Sequence, residues 1–381
     1  MSLREVSRLA YVDCVRGYAV LLVISCHLAY EYVNLPWPVH RLAVLGWHGV
    51  QLFFMASALT LLLSWQRERE RTGRMNVTAF FVRRFFRIAP VYYAAAAFYY
   101  WLTPPAGGLD VVQLLASLAF ANGWHPAIMP TTSSGWSVVP GGWSIGVEFS
   151  FYAVFPVFVF WVTSLRRWSG LLVASLVIAV VANLAAQSVL LTQYNAVTVD
   201  NFLYFWLPNQ FPVFVLGAGV FLVLGKDGFA RLTPTIKAWS VPLALLAALL
   251  FFATAYSGGP LWLGQPSPIP PRFIIASFAF AVFLLAMSVT ESRWLINGAI
   301  AAMGRVSFSA YLWHFAVLRL LPGAFGNLFH TEATDYGAIL AFVCAWPVVV
   351  LATFAVSWVT FQAIEQPGIR LGQGFLKRLR A

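Results

Sequence analysis

Charge is what this sequence has least of. Of its 381 residues, 13 are acidic and 24 basic, 10% in all, while 60% are hydrophobic and 17% aromatic. A soluble domain needs roughly a quarter to a third of its surface in charged residues, so a water-facing globule is excluded and a bilayer is the solvent that fits. Cysteine is equally scarce. Cys14, Cys26 and Cys344 have neither the density of a disulfide framework nor the spacing of a metal site; they read as packing residues, and no metal is expected. A leader-type cleavage site is missing too. The first apolar run, YAVLLVISCHLAYEYV, carries a histidine and enters a Pro-rich loop, as a retained transmembrane helix does.

Long apolar runs are what remain. A membrane span needs about 20 mostly apolar residues, and the sequence offers about ten: 12–33, 43–65, 83–103, 143–165, 170–190, 203–225, 238–256, 273–291, 295–320 and 337–362. The piece VVQLLASLAF is too short to span and reads as a helix on or dipping into the surface. The expected fold is an all-α, polytopic transmembrane helical bundle with both termini cytoplasmic. Residues 1–364 form one transmembrane domain, and 365–381 a short basic tail at the cytoplasmic membrane surface.

The placement of the net charge of +11 supports this topology and argues against nucleic acid as a partner. With both termini inside, 21 of the 24 Lys and Arg fall on the cytoplasmic side, leaving only Arg41, Arg272 and Arg319 outside. The long connection 104–142 has no Lys or Arg at all. An odd number of spans would break that pattern.

Ionisable groups inside spans cost about 2.5–3.5 kcal/mol each at mid-membrane, so they read first as functional. Three stand out: His27 in the first span, Glu148 in the fourth and His314 in the ninth. Each lies five or six positions from the outer end of its helix, a common depth of about 8–9 Å. Two histidines and a carboxylate at one level can hold a hydroxyl, take its proton and stabilise the imidazolium that results. Three unrelated packing hydrogen bonds would place the same residues there.

At the inner end of the third span, FFVRRFFRIAPVYY sets Arg83, Arg84 and Arg87 at helical spacing, where guanidinium forks can hold phosphates. Positive-inside topology alone also puts arginines here. In YVDCVRGYAV, Asp13 and Arg16 at i, i+3 can pair on one helix face, as a structural ion pair or as ligand contacts. The small residues Ala56, Ser57 and Ala58 read as packing positions for close helix approach.

In order along the chain, DCVRGYAVLLVISCH, GVQLFFMASAL, FFVRRFFRIAPVY, GWSIGVEFSFYAVFP, GRVSFSAYLWH and IEQPGIRLG resemble the motifs of the acyltransferase-3 family, bacterial membrane proteins that move acetyl or other acyl groups onto hydroxylated acceptors. The resemblance covers nearly the whole chain. It implies that His27 is essential for transfer, that Asp13 and Arg16 open its helix, and that Arg84 and Arg87 belong to a basic motif linked to donor handling. Glu148, Tyr152, Tyr311 and His314 match further motif positions. The family's usual aspartate in the second motif is Gln51 here, and a usual glycine is Ala58.

The expected function is O-acyl transfer from a cytoplasmic acyl-CoA, acetyl-CoA first, to a hydroxyl of a cell-surface or exported glycan. The expected place is the bacterial inner membrane, alongside a polysaccharide biosynthesis machinery. His27 acts as general base oriented by a carboxylate such as Glu148, or carries the acyl group covalently. Ser144, Tyr152, Tyr311 and Trp143 are candidates for holding an oxyanion or a sugar. A small hydroxylated natural product is the alternative acceptor. The rival from another class is a small-molecule carrier, against which stands the lack of repeat symmetry and of paired broken helices.

Overall fold

Residues 3–105, 107–129, 137–225, 234–254, 273–324 and 334–379 are described in a computed structural model. Of the residues used above for topology, Lys226, Arg231, Arg272 and Arg380 lie outside the described residues, as do 106 and 130–136 of the connection without Lys or Arg and the end of the seventh expected span. Every element among the described residues is helical.

The chain begins with α1 (Leu3–Glu31), α2 (Trp37–Val44), a 3-10 turn (Leu45–His48), α3 (Gly49–Thr72), α4 (Val77–Leu102) and a short α5 (Val111–Leu118). It continues through α6 (Trp143–Phe158), α7 (Leu165–Leu190), α8 (Ala196–Phe205) and α9 (Leu207–Leu224). The last part comprises α10 (Ser240–Ala253), α11 (Phe273–Val289), α12 (Gly298–Arg305), α13 (Ser307–Ala324), α14 (Asp335–Thr360), a π turn (Phe361–Glu365) and α15 (Gln366–Arg378). Among the described residues, five helical stretches are long and apolar enough to cross a membrane, and shorter apolar helices accompany them. The protein is an all-α, multi-pass membrane protein.

Which helices face lipid follows from what they leave uncovered. On α7, Val173, Val177, Val181 and Leu184 are all more than half exposed, and on α14 so are Leu340, Val343 and Leu351. An apolar surface of that extent is stable only against hydrocarbon. By contrast α1, α3 and α9 bury most of their surface in the interior of the bundle.

Small residues set the position of α1, which carries His27. It packs against α3, α12, α13 and the 3-10 turn. A Cβ on Gly304 would fall on the Asp13 backbone, one on Gly17 on Ile300, and one on Gly46 on the Leu22 carbonyl. Without a driving force from water, such close approach is how membrane helices gain packing energy. Polar pairs add to it. Asn183 of α7 and Asn209 of α9 exchange amide hydrogen bonds of 3.1 and 2.9 Å. Gln51 of α3 donates to Gln210 of α9 at 3.1 Å and to Tyr204 at 3.3 Å. Gln51 therefore serves helix association here.

Two elements differ in form from the sequence expectation. The ninth expected span is broken at Val306 into α12 and α13, so that Gly304 and the start of α13 meet α1 separately. At the other end the chain stays helical past residue 362, through the π turn into α15, with Pro367 in its first turn where a missing N–H costs nothing.

Candidate active site

The first cluster is a pair of histidines. His27 is half-buried near the end of α1, and His314, with no solvent exposure, comes from α13. His314 Nε2 lies 3.2 Å from His27 Nδ1. His314 Nδ1 is 3.2 Å from the Ala310 carbonyl, and His27 Nδ1 is 3.0 Å from the Val23 carbonyl.

These contacts assign the protons. A backbone carbonyl only accepts, so His314 Nδ1 carries hydrogen and donates to Ala310, which leaves Nε2 of the neutral ring as an acceptor. His27 Nδ1 then donates, shared between Val23 and His314. The opposite arrangement would set two ring lone pairs against two carbonyl oxygens. His27 Nε2 is left with its lone pair unprotonated, as a base requires. Phe315 (ring centroids 4.4 Å apart) and Tyr30 (6.5 Å) flank the His27 ring.

The second cluster lines a cavity of about 70 Å³ whose walls include Arg16, Ser57, Arg84, Arg87, Ser144, Glu148, Tyr152 and Tyr311. A space of that size holds several waters. Glu148 Oε1 accepts from Ser57 Oγ at 2.5 Å, Tyr152 donates to the same carboxylate, and the charge of Glu148 faces Arg16 and Arg84. Arg16 Nη2 donates to Thr60 at 3.3 Å. Arg84 lies over the Phe80 ring at 5.9 Å, and its Nε is buried without a hydrogen-bond partner. Three guanidinium groups against one carboxylate make the cavity a site for an anion.

Tyr311 joins the two clusters. It lines the cavity, and its ring centroid is 5.9 Å from that of His314. Its hydroxyl donates to the Gly141 carbonyl at 3.0 Å and accepts from Ser144 Oγ at 2.9 Å. Trp143 packs on Phe205 (4.3 Å between centroids).

The residues singled out from the sequence thus separate into two groups. His27 and His314 are brought together. Glu148 is not bonded to His27; it sits with Arg16, Arg84, Arg87 and Tyr152. Arg83 leaves the group altogether and pairs with Glu68 of α3 at 2.8 Å, outside the cavity lining. Asp13 faces Arg16, Arg87 and Arg305 rather than Arg16 alone. Two residues with a part in this geometry were not singled out as site residues. Ser57 looked like a packing position, and Glu365, buried at 2% exposure beside Ser309, lies beyond the end expected for the last span.

A family model described as an acyltransferase domain matches residues 9–362 of the chain. The chain is similar to acyltransferase MdmB of Streptomyces mycarofaciens, 28% identical over 366 residues that cover 88% of this chain and 86% of that protein. It is similar to O-acetyltransferase OatA of Staphylococcus aureus, 22% identical over 380 residues, 93% of this chain and 56% of that relative; the chain spans little more than half the length of the latter. No solved structure matches.

Proposed function

Since the chain belongs to the acyltransferase-3 family and is a membrane O-acyltransferase, we propose that it moves an acetyl group from cytoplasmic acetyl-CoA to a hydroxyl of a cell-surface or exported glycan. The observation that carries the donor half is the anion site. Arg16, Arg84 and Arg87 share one cavity with a single carboxylate, and Arg84 Nε has no hydrogen-bond partner. CoA presents phosphates that charge-assisted guanidinium bonds can hold, and no metal is needed for that contact. Positive-inside topology supports a cytoplasmic entry on this basic side. Phe53 and Tyr311 line the same cavity, and the Tyr311 ring lies beside His314, the partner of His27, so the pantetheine arm would extend from the arginines on that side.

At His27 the chemistry follows from the proton assignment. Nε2 takes the proton of the acceptor hydroxyl as its oxygen attacks the thioester carbonyl carbon. The new C–O bond forms, the C–S bond breaks, and the leaving thiolate takes the proton back from the imidazolium to give the free thiol. His314 accepts from Nδ1 throughout and stabilises the cation, the part that a carboxylate plays in a Ser-His-Asp triad. Glu148, held by Ser57 and Tyr152, then offsets charge among the arginines and keeps the cavity open to an anion.

A hydroxyl acceptor is supported by the relative named an O-acetyltransferase, and a sugar as the bearer of that hydroxyl by the aromatic rings around the reactive nitrogen, Tyr30 and Phe315, on which a sugar face can pack. The test is the release of free CoA thiol by the protein in a defined bilayer, with and without a panel of hydroxylated glycans. Thiol release that rises with one acceptor, with label appearing on that glycan, is the expected result. Transport of the label without thiol release would show a carrier instead.

A further inference from the structure

The arginine site has a counter-charge on the side away from its cavity, supplied by the tail. After α14 the chain makes the π turn Phe361–Glu365 before continuing as α15. Such turns occur mostly as single-turn bulges inside α-helices, frequently at functional sites. Here the turn ends on Glu365. It is 2% exposed, and its Oε2 accepts from Ser309 Oγ at 2.8 Å, a serine with no exposure at all.

The tail is also fastened to the helix that bears the arginines. A Cβ on Gly368 would stand 2.7 Å from the Phe86 carbonyl and 2.8 Å from the Pro90 ring, and one on Gly372 would stand 2.7 Å from Phe86 Cβ. Phe375 lies against Phe86, with 6.0 Å between ring centroids. Phe86 immediately precedes Arg87 on α4. From this position Arg87 and Arg16 are the cations whose charge acts on Glu365, through space rather than through a direct ion pair, while Arg16, Arg305 and Arg87 act on Asp13 of α1.

The electrostatics require something of the kind. Arg16, Arg84 and Arg87 repel one another in a partly desolvated space, and Glu148 alone does not balance them. Unbalanced, long flexible cations move apart towards water. Asp13 and Glu365 bring two further carboxyl groups to the cluster, so that four guanidinium groups including Arg305 meet three carboxyl groups in all.

We propose that Glu365 is a positioning residue of the donor site: held by Ser309 and carried by the tail helix, its carboxylate keeps Arg87 and Arg16 facing the cavity so that they meet the donor's phosphates. The proposal rests on the reading of that cavity as the acyl-CoA site. It makes the tail a part of the donor site.

The test compares E365Q with wild type, both full-length and in the same defined bilayer. Two donors are used: acetyl-CoA, and the acetyl thioester of N-acetylcysteamine, which has the reactive bond but no phosphate. E365Q keeps the size of the side chain and an oxygen for Ser309 while removing the charge. We expect KM for acetyl-CoA to rise about tenfold, the scale of losing one charge-assisted contact, with kcat and the short-thioester reaction unchanged. Adding E365Q to R87A is expected to cost nothing further, because the two act through one guanidinium, and E365D is expected to recover most of the KM. An equal loss with both donors, additivity with R87A, or a fall in KM would each overturn the proposal. If E365Q fails to fold, S309A carries the same test, with a smaller rise in KM for acetyl-CoA only. An R87A variant that leaves KM for acetyl-CoA unmoved would remove the donor reading itself, whereas a KM raised by R87A and not by E365Q would remove this inference alone.

Discussion

His314 accepts the hydrogen that His27 carries on Nδ1, across 3.2 Å; the same Nδ1 also reaches the Val23 carbonyl, and the far nitrogen of His314 donates to the Ala310 carbonyl. The pair is therefore a tautomer lock. His314→Ala removes the acceptor and is expected to lower kcat about 100-fold, within the range for losing an oriented base. His314→Gln, whose amide oxygen can accept from the same nitrogen, is expected to recover part of that loss. Steady-state kinetics of the three proteins check this; equal loss in both variants would assign His314 to packing.

Arg84 and Arg87 line the cavity, while Arg83 is spent on Glu68. Arg84→Ala and Arg87→Ala are each expected to raise KM for acetyl-CoA about tenfold or more, from the loss of a charge-assisted phosphate contact. Arg83→Ala breaks a pair of the partly exposed kind and is expected to change KM less than about threefold and stability by less than about 1 kcal/mol. Donor titrations of the three variants separate them, and an Arg83 effect as large as that of Arg84 would contradict the geometry.

Depth along a helix was legible for the histidines and not for Glu148. Counting residues from the span ends puts His27, Glu148 and His314 at one level; His27 does meet His314, whereas Glu148 lies at another level, since Ser144, one turn before it, is the residue that bonds Tyr311, itself one turn before His314. Glu148 turns to Ser57 and the arginines because the depth and rotation of each helix are set by its partners, through contacts such as Gly304 on Asp13 and Gly17 on Ile300, which no periodicity displays. Each of the ten apolar runs contains helix among the described residues, since hydropathy reports length and lipid exposure directly. The break at Val306 was hidden inside an apolar stretch. Glu365 lies inside the stretch IEQPGIRLG but just past the end of the hydrophobic run, so apolar counting does not place it in the bundle, whereas the π turn carries the helix through it. Ser57 was taken for a packing residue because a small hydroxyl serves both purposes.

Close packing of α1 on α12 gives a stability prediction. Gly304→Ala places a methyl group on the Asp13 backbone, where neither helix can give way by rotating a side chain. The expected cost is about 1–3 kcal/mol, the usual penalty for overpacking, with a lower melting temperature in detergent. An unchanged melting temperature would mean that the two helices are further apart than described.

The amide exchange between Asn183 and Asn209 gives a second one. Asn183→Ala removes the N–H that the Asn209 amide oxygen accepts from, while the Asn209 nitrogen keeps the Leu203 carbonyl, and is expected to destabilise by about 1–2 kcal/mol, the range for polar contacts between membrane helices. The double variant is expected to cost less than the sum of the two single changes, because each loss is the same pair. Full additivity in the same melting assay would argue against a shared interaction.

The most direct test of the account is turnover by wild-type protein and His27→Ala, equally folded by melting temperature, in one bilayer with labelled acetyl-CoA and an acceptor that wild type acetylates. The account predicts acceptor-dependent transfer by wild type, with no label retained on the protein, and a loss of at least about 100-fold in the variant. Equal turnover in both would contradict the assignment of His27 as the base.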